Sequence, residues 1–114
     1  MKLSFVVSLV LVVAAVLVAY AQQPMPRMST VDPGNGKVGD VITVAGENLQ
    51  KDQVARVYLT DGKNDVLVAI VEQTTTSIKF KIPAKASAGR FALMVLTTGK
   101  DAKLMEQPVK VTID

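Results

Sequence analysis

The side chains that most often carry chemistry are scarce in this chain. Histidine and cysteine are both absent, which removes the imidazole base of a Ser-His-Asp or Cys-His arrangement and the usual ligands of a zinc site. Ser29, Ser77 and Ser87 then have no base to activate them and read as strand or turn residues. The oxygen-rich run Asp61-Gly62-Lys63-Asn64-Asp65 invites comparison with a calcium loop. It lacks the bidentate glutamate and the twelve-residue frame of such a loop, so it reads as a hairpin turn. A glycosidase would need two carboxylates across a cleft, and a set of short strands offers no such cleft. Neither an enzyme nor a bound cofactor or metal is expected, and function must come from a surface.

The positioning elements begin after a segment that has to be set aside. Lys2 followed by an apolar run from Leu3 to Ala19, broken only by Ser4 and Ser8, ends in Ala19-Tyr20-Ala21. This is the pattern of a helical signal peptide, residues 1–21, cut after Ala21. The same run reaches the lower limit of the roughly 17 to 25 residues that span a bilayer, so an uncleaved N-terminal anchor is the alternative, and only then would the chain contact a membrane. Export to the periplasm or the outside is implied either way. Removing 21 of the 114 residues leaves 93, one small domain, and taking Lys2 from the 13 basic residues leaves 12 against 10 acidic ones. A charge of +2 gives no field that would dictate a partner. Without cysteine, an exported domain of this size must rely on core packing.

Residues 22–27, QQPMPR, read as an extended linker because of their two prolines. From 28 to 114, short alternating runs separated by turn residues predict an all-β sandwich of about seven strands. The strands fall near Met28–Val31, Val41–Gly46, Arg56–Asp61, Val66–Glu72, Ser77–Ile82, Arg90–Thr97 and Val109–Ile113. Alternation points Ile42, Val44, Ile78, Phe80, Ile82, Phe91, Leu93, Val95, Val109, Val111 and Ile113 inward, each contributing roughly 1.5 to 3 kcal/mol when buried.

Four pieces in order carry a family resemblance. They are Val31-Asp32-Pro33-Gly34, then Gly39 through Leu49 (GDVITVAGENL), then TSIKFKIP from Thr76 to Pro83, then Ala88-Gly89-Arg90-Phe91. Together they resemble the IPT/TIG family of immunoglobulin-like domains, over essentially all of 28–114. The resemblance implies that Gly39 permits the tight approach into the second strand and that Gly46 lets the chain turn out of it through a positive φ. It also implies that Asn48 and Leu49 lead to a plug under the sandwich, while Pro83 and Gly89 mark the turn before the sixth strand. Leu49 stands where the family more often has Phe, and Phe91 where it more often has Tyr. The missing Cys…Trp…Cys set separates the chain from antibody-type domains.

Some members of that family bind DNA, and Lys79, Lys81 and Lys85 would be the phosphate track here. Export and balanced charge argue against nucleic acid, and these lysines read as a solvated face that deters edge pairing. Other members accompany glycan-binding surface proteins, but only Tyr58 offers an exposed ring, so a weak carbohydrate-binding module of the cell surface is the alternative reading. The first reading rests on a departure from alternation. Ala92, Met94 and Leu96, the outward set of the sixth strand, are apolar, and Tyr58 of the third strand should lie beside them. VLVAIV, Val66–Val71, is apolar on both faces. A one-sided sheet alternates, so this predicts an interaction face for a protein partner or an identical subunit.

Overall fold

The computed structural model describes residues 25–114. The expected leader and its cleavage point lie outside the described residues. Among the described residues no helix is long and apolar enough to cross a membrane. The chain forms β1 (Arg27–Asp32), β2 (Asn35–Gly36), β3 (Val41–Glu47), β4 (Val54–Thr60), β5 (Asp65–Leu67), β6 (Ala69–Gln73), β7 (Ser77–Lys81), β8 (Gly89–Thr97) and β9 (Leu104–Ile113). A four-stranded sheet in the order β1-β3-β7-β6 faces a five-stranded sheet in the order β2-β9-β8-β4-β5. All pairings are antiparallel except that of β2 with β9. This is the all-β immunoglobulin-like sandwich.

The inward residues of the alternating runs form the core. Ile42, Val44, Ile78 and Phe80 from one sheet meet Val57, Leu59, Leu93, Val95 and Val111 from the other, and all are fully buried. Leu49 and Ile82 close the ends. Burying these side chains against a second sheet is what makes strands of this length stable, since neither sheet can hide its apolar face alone.

Four local readings of the sequence are corrected. Val66–Glu72 is not one strand. The chain leaves the five-stranded sheet after Leu67, buries Val68 at the crossing, and joins the other sheet at Ala69. Both registers of VLVAIV are apolar because each serves a different sheet. The last strand starts at Leu104, not Val109, because the interruption at Pro108 is a register shift opposite Ala92 and Met94 rather than a strand end. Pro108 sits within that irregularity, where a missing N–H is tolerated. The first strand begins at Arg27, inside the stretch read as linker, since Arg27 pairs with Glu47.

The fourth correction concerns Gly46. Its φ is not positive, in contrast to Gly39 at φ 91, Gly89 at φ 145 and Asn48 at φ 57. The chain turns at Asn48 instead. A Cβ at position 46 would run into the carbonyl oxygen of Arg27 and lie 2.9 Å from the Met28 Cα. Gly46 is therefore required by the close crossing of β1, which shifts register between Met28 and Thr30 at this point. Beyond the shift the buried Gln107 side chain takes over the pairing, its Oε1 accepting the Met28 N–H at 2.7 Å and tying β1 to β9.

Candidate interaction face

The two outer faces of the sandwich differ. On the four-stranded sheet the register aligns Asp32, Thr43, Lys79 and Glu72 in one row, and Thr30, Ala45 and Ser77 in the next. Lys79 Nζ lies 3.4 Å from Glu72 Oε2. Val41 and Val71 are exposed on this side, but Val41 sits opposite Lys81 and Val71 belongs to the edge strand β6. Scattered apolar residues among charges are ordinary surface. Lys79, Lys81 and Lys85 do not form a track, since Lys79 faces Glu72 and Lys85 lies in the loop after β7.

The outer face of the five-stranded sheet is built otherwise. Pairing places Leu67 opposite Tyr58, Tyr58 opposite Met94, and Met94 opposite Glu106. In the next row Arg56 stands opposite Leu96 and Leu96 opposite Leu104, while on the other side Thr60 faces Ala92 and Ala92 faces Lys110. Residues directly opposite one another in a sheet present neighbouring side chains on the same face. Tyr58, Ala92, Met94 and Leu96 thus occupy adjacent positions on one surface, half-buried by each other's company. Leu67 is 48% exposed and Leu104 53%, and they extend the apolar area to both sides. Charge is confined to the surround, at Arg56, Glu106, Lys110 and Arg90.

Leu67 and Leu104 were missed from the sequence for separate reasons. Leu67 lies in the run where both parities are apolar, so alternation could not say which side it takes. Leu104 precedes Pro108 and fell outside the last strand as read. A signal for Leu104 existed in its own alternation with Met105 and Glu106, since Met105 packs on the core while its two neighbours are exposed.

The turn closing β4 onto β5 holds the upper corner of this face. The Asp61 Oδ1 accepts the N–H groups of Lys63 at 2.9 Å and Asn64 at 2.7 Å, Gly62 adopts φ 93, and the Gly62 N–H reaches Thr60 Oγ1 at 3.1 Å. That makes the run a hairpin turn stitched by a carboxylate, which also hides Thr60 although it points outward. The Asn64 and then the Lys63 N–H hold the Asp61 carboxyl below its ordinary value of 3.8. A depressed folded value means that the turn's stabilisation is fully present above the unfolded value and is lost as pH falls through the folded one. A carboxyl carbon titration by NMR should give Asp61 a lower midpoint in the folded chain than in urea. Equal midpoints would show that the turn does not depend on the charge.

The fold is a two-sheet sandwich domain, and this face is the outer surface of its five-stranded sheet. The family profile described as IPT/TIG domain matches residues 26–113, and the chain belongs to that family. A search of curated proteins finds no match. Among solved structures, a structural-genomics protein of unknown function from Bacteroides thetaiotaomicron superposes with TM-score 0.66 at 20% identity, over 82% of this chain and 22% of that one. An auxiliary nutrient binding protein from Bacteroides ovatus gives 0.57 at 21% identity, over 81% and 21%. A protein of the Bacteroides ovatus mixed-linkage glucan utilization locus, in complex with a mixed-linkage heptasaccharide, gives 0.50 at 20% identity, over 71% and 21%. The chain therefore spans about a fifth of these three structures, and at such identity they establish the fold.

Proposed function

We propose that this protein is a non-enzymatic binding module of the cell envelope that associates with a protein surface, a second copy of itself included, through the outer face of its five-stranded sheet. The observation that carries the reading is the asymmetry of the two faces. One alternates and is broken by charge, while the other has an unbroken apolar row Leu67–Tyr58–Met94 flanked by Leu96–Leu104. Contiguous apolar area with a charged surround is the composition of a contact surface. The leader read over residues 1–21 supports a site of action outside the cytoplasm. The nutrient- and glucan-associated neighbours are consistent with a binding role.

The test is Met94→Lys combined with Leu96→Lys. Both residues stand outward beside Tyr58 and Arg56, so the core is untouched and the melting transition should stay cooperative. Association, read by sedimentation for self-pairing and by co-purification with envelope proteins for another partner, should weaken at least tenfold, because two ammonium groups would have to be desolvated in the contact. A folded variant that associates like the wild type rules this face out.

A further inference from the structure

A depression of about 250 Å³ lies at the hairpin corner of the same sheet, with Ala92 as its floor and Thr60, Asp61, Arg90, Glu106 and Lys110 around it. We infer that it is a binding site for a carboxylate-bearing sugar, a hexuronate unit of an acidic oligosaccharide. Four features of the lining carry the assignment.

The first is a pair of cations without acidic partners. Arg90 and Lys110 come from adjacent antiparallel strands, Lys110 directly opposite Ala92 and Arg90 two residues before it. Neither makes an ion pair within 4.0 Å, the Lys79–Glu72 bridge being the one such contact among the described residues. Both line the same depression, and a carboxylate seated there can satisfy a guanidinium and an ammonium together.

The second is the opposite charge across the depression. Glu106 and Asp61 balance Arg90 and Lys110, so the lining carries no net charge. A multiply charged ion such as sulfate would gain from two groups and be repelled by the other two. A monoanion that also carries hydroxyl donors fits all four, its carboxylate on the cations and its hydroxyls donating to the carboxylates.

Size is the third. The space is below the roughly 300 to 1,000 Å³ of sites for larger ligands, which suits one ring. Ala92 is a small side chain of that lining, and a larger residue there would narrow the space.

The fourth is the neighbourhood. Tyr58 stands two residues before Thr60 on the same face, about 6.5 Å along the strand at 3.2 to 3.4 Å per residue. A second sugar linked to a uronate in the depression would lie along β4 toward that ring and could stack on it. A free amino acid, which also pairs a carboxylate with a group for Glu106, would not extend so far. The assignment shares Tyr58 and Ala92 with the protein-binding reading, but Arg90 and Lys110 stand outside the apolar row Leu67–Tyr58–Met94, so variants can separate the two.

The experiment titrates the folded chain with a galacturonate dimer and a glucuronate-containing disaccharide, following backbone amides by NMR. Saturable shifts are expected at Thr60, Gly62, Arg90, Ala92 and Lys110, with Tyr58 responding to the second ring. An uncharged disaccharide should bind at least tenfold more weakly, and so should the acidic ligand to the Arg90→Gln, Lys110→Gln variant. Lys110→Gln alone serves if the double variant does not fold. Equal shifts with acetate, sulfate or glycine would reduce the site to an unspecific ion contact and overturn the assignment, as would the absence of any saturable response. Because Met94 and Leu96 are unchanged in these variants, sedimentation of the same samples reports separately on the contact surface.

Discussion

Gly46→Val should cost the domain about 3 kcal/mol or more, the upper end of what overpacking usually does, because the atoms in the way are backbone rather than a flexible side chain. Gly46 is confined on two sides. Its N–H donates to the Thr76 carbonyl at 2.9 Å, while its Cα faces the Arg27–Met28 peptide, to whose strand it is paired. Any Cβ meets the Arg27 carbonyl, so β1 has to move away. Moving it also loosens the Met28–Gln107 hydrogen bond and leaves a buried N–H unsatisfied, which costs a further ~1 to 3 kcal/mol. For a domain of this size each kcal/mol lowers Tm by roughly 4 to 8 °C. The close-approach explanation makes a sharper statement than a positive φ would. Gly46→Ala should already carry most of the penalty, since the first carbon does the damage. An alanine variant melting within error of the wild type would overturn it.

What alternation could and could not reveal follows from what it measures. It reports which side of a strand is buried, so it assigned Ile42, Val44, Phe80 and Leu93 to the core and Ala92, Met94 and Leu96 to the outside without knowledge of the partners. It cannot report a change of sheet, because a residue such as Val68 is buried between two half-strands whose parities are unrelated. Nor can it see a contact made by one side chain across the sandwich. Gln107 looks like a polar residue before a proline, and its role as the acceptor for Met28 exists only once β1 and β9 are neighbours. Gly46 was legible as a glycine the fold needs and illegible as to why, since a left-handed turn and a close crossing leave the same residue type in the sequence. The interaction face was half legible for a similar reason. Its centre lies on strands with clear parity, and its two flanks, Leu67 and Leu104, lie where a crossing and a proline obscured the pattern. The depression at Arg90 and Lys110 was not legible at all. It depends on pairing β8 with β9 and on the Asp61 turn folding over Thr60, and nothing in the order of residues brings those three together.

Leu49→Ala should destabilise the domain by about 2 to 5 kcal/mol, read as a fall in the denaturant midpoint at unchanged slope. Leu49 is fully buried although it lies between strands, because the chain bends at Asn48 and returns its side chain into the core. The surrounding backbone cannot easily collapse into the space that alanine would leave. The Leu49 N–H donates to the Thr75 carbonyl at 2.9 Å, and the Gln73 Nε2 reaches both the Leu49 carbonyl at 2.7 Å and the Val54 carbonyl at 3.1 Å. These bonds pin the segment between β3 and β4 to the end of β6, so the cavity should persist, and persistence places the cost in the upper half of the range. The converse substitution separates plugging from mere hydrophobicity. Leu49→Phe supplies the residue more common in the family, yet here Leu49 already has no exposed surface and Val54 beside it has almost none. The larger ring should therefore cost ~1 to 3 kcal/mol through overpacking. A phenylalanine variant as stable as the wild type would mean that the end of this sandwich has room to spare, and the leucine would then be one of several residues able to close it.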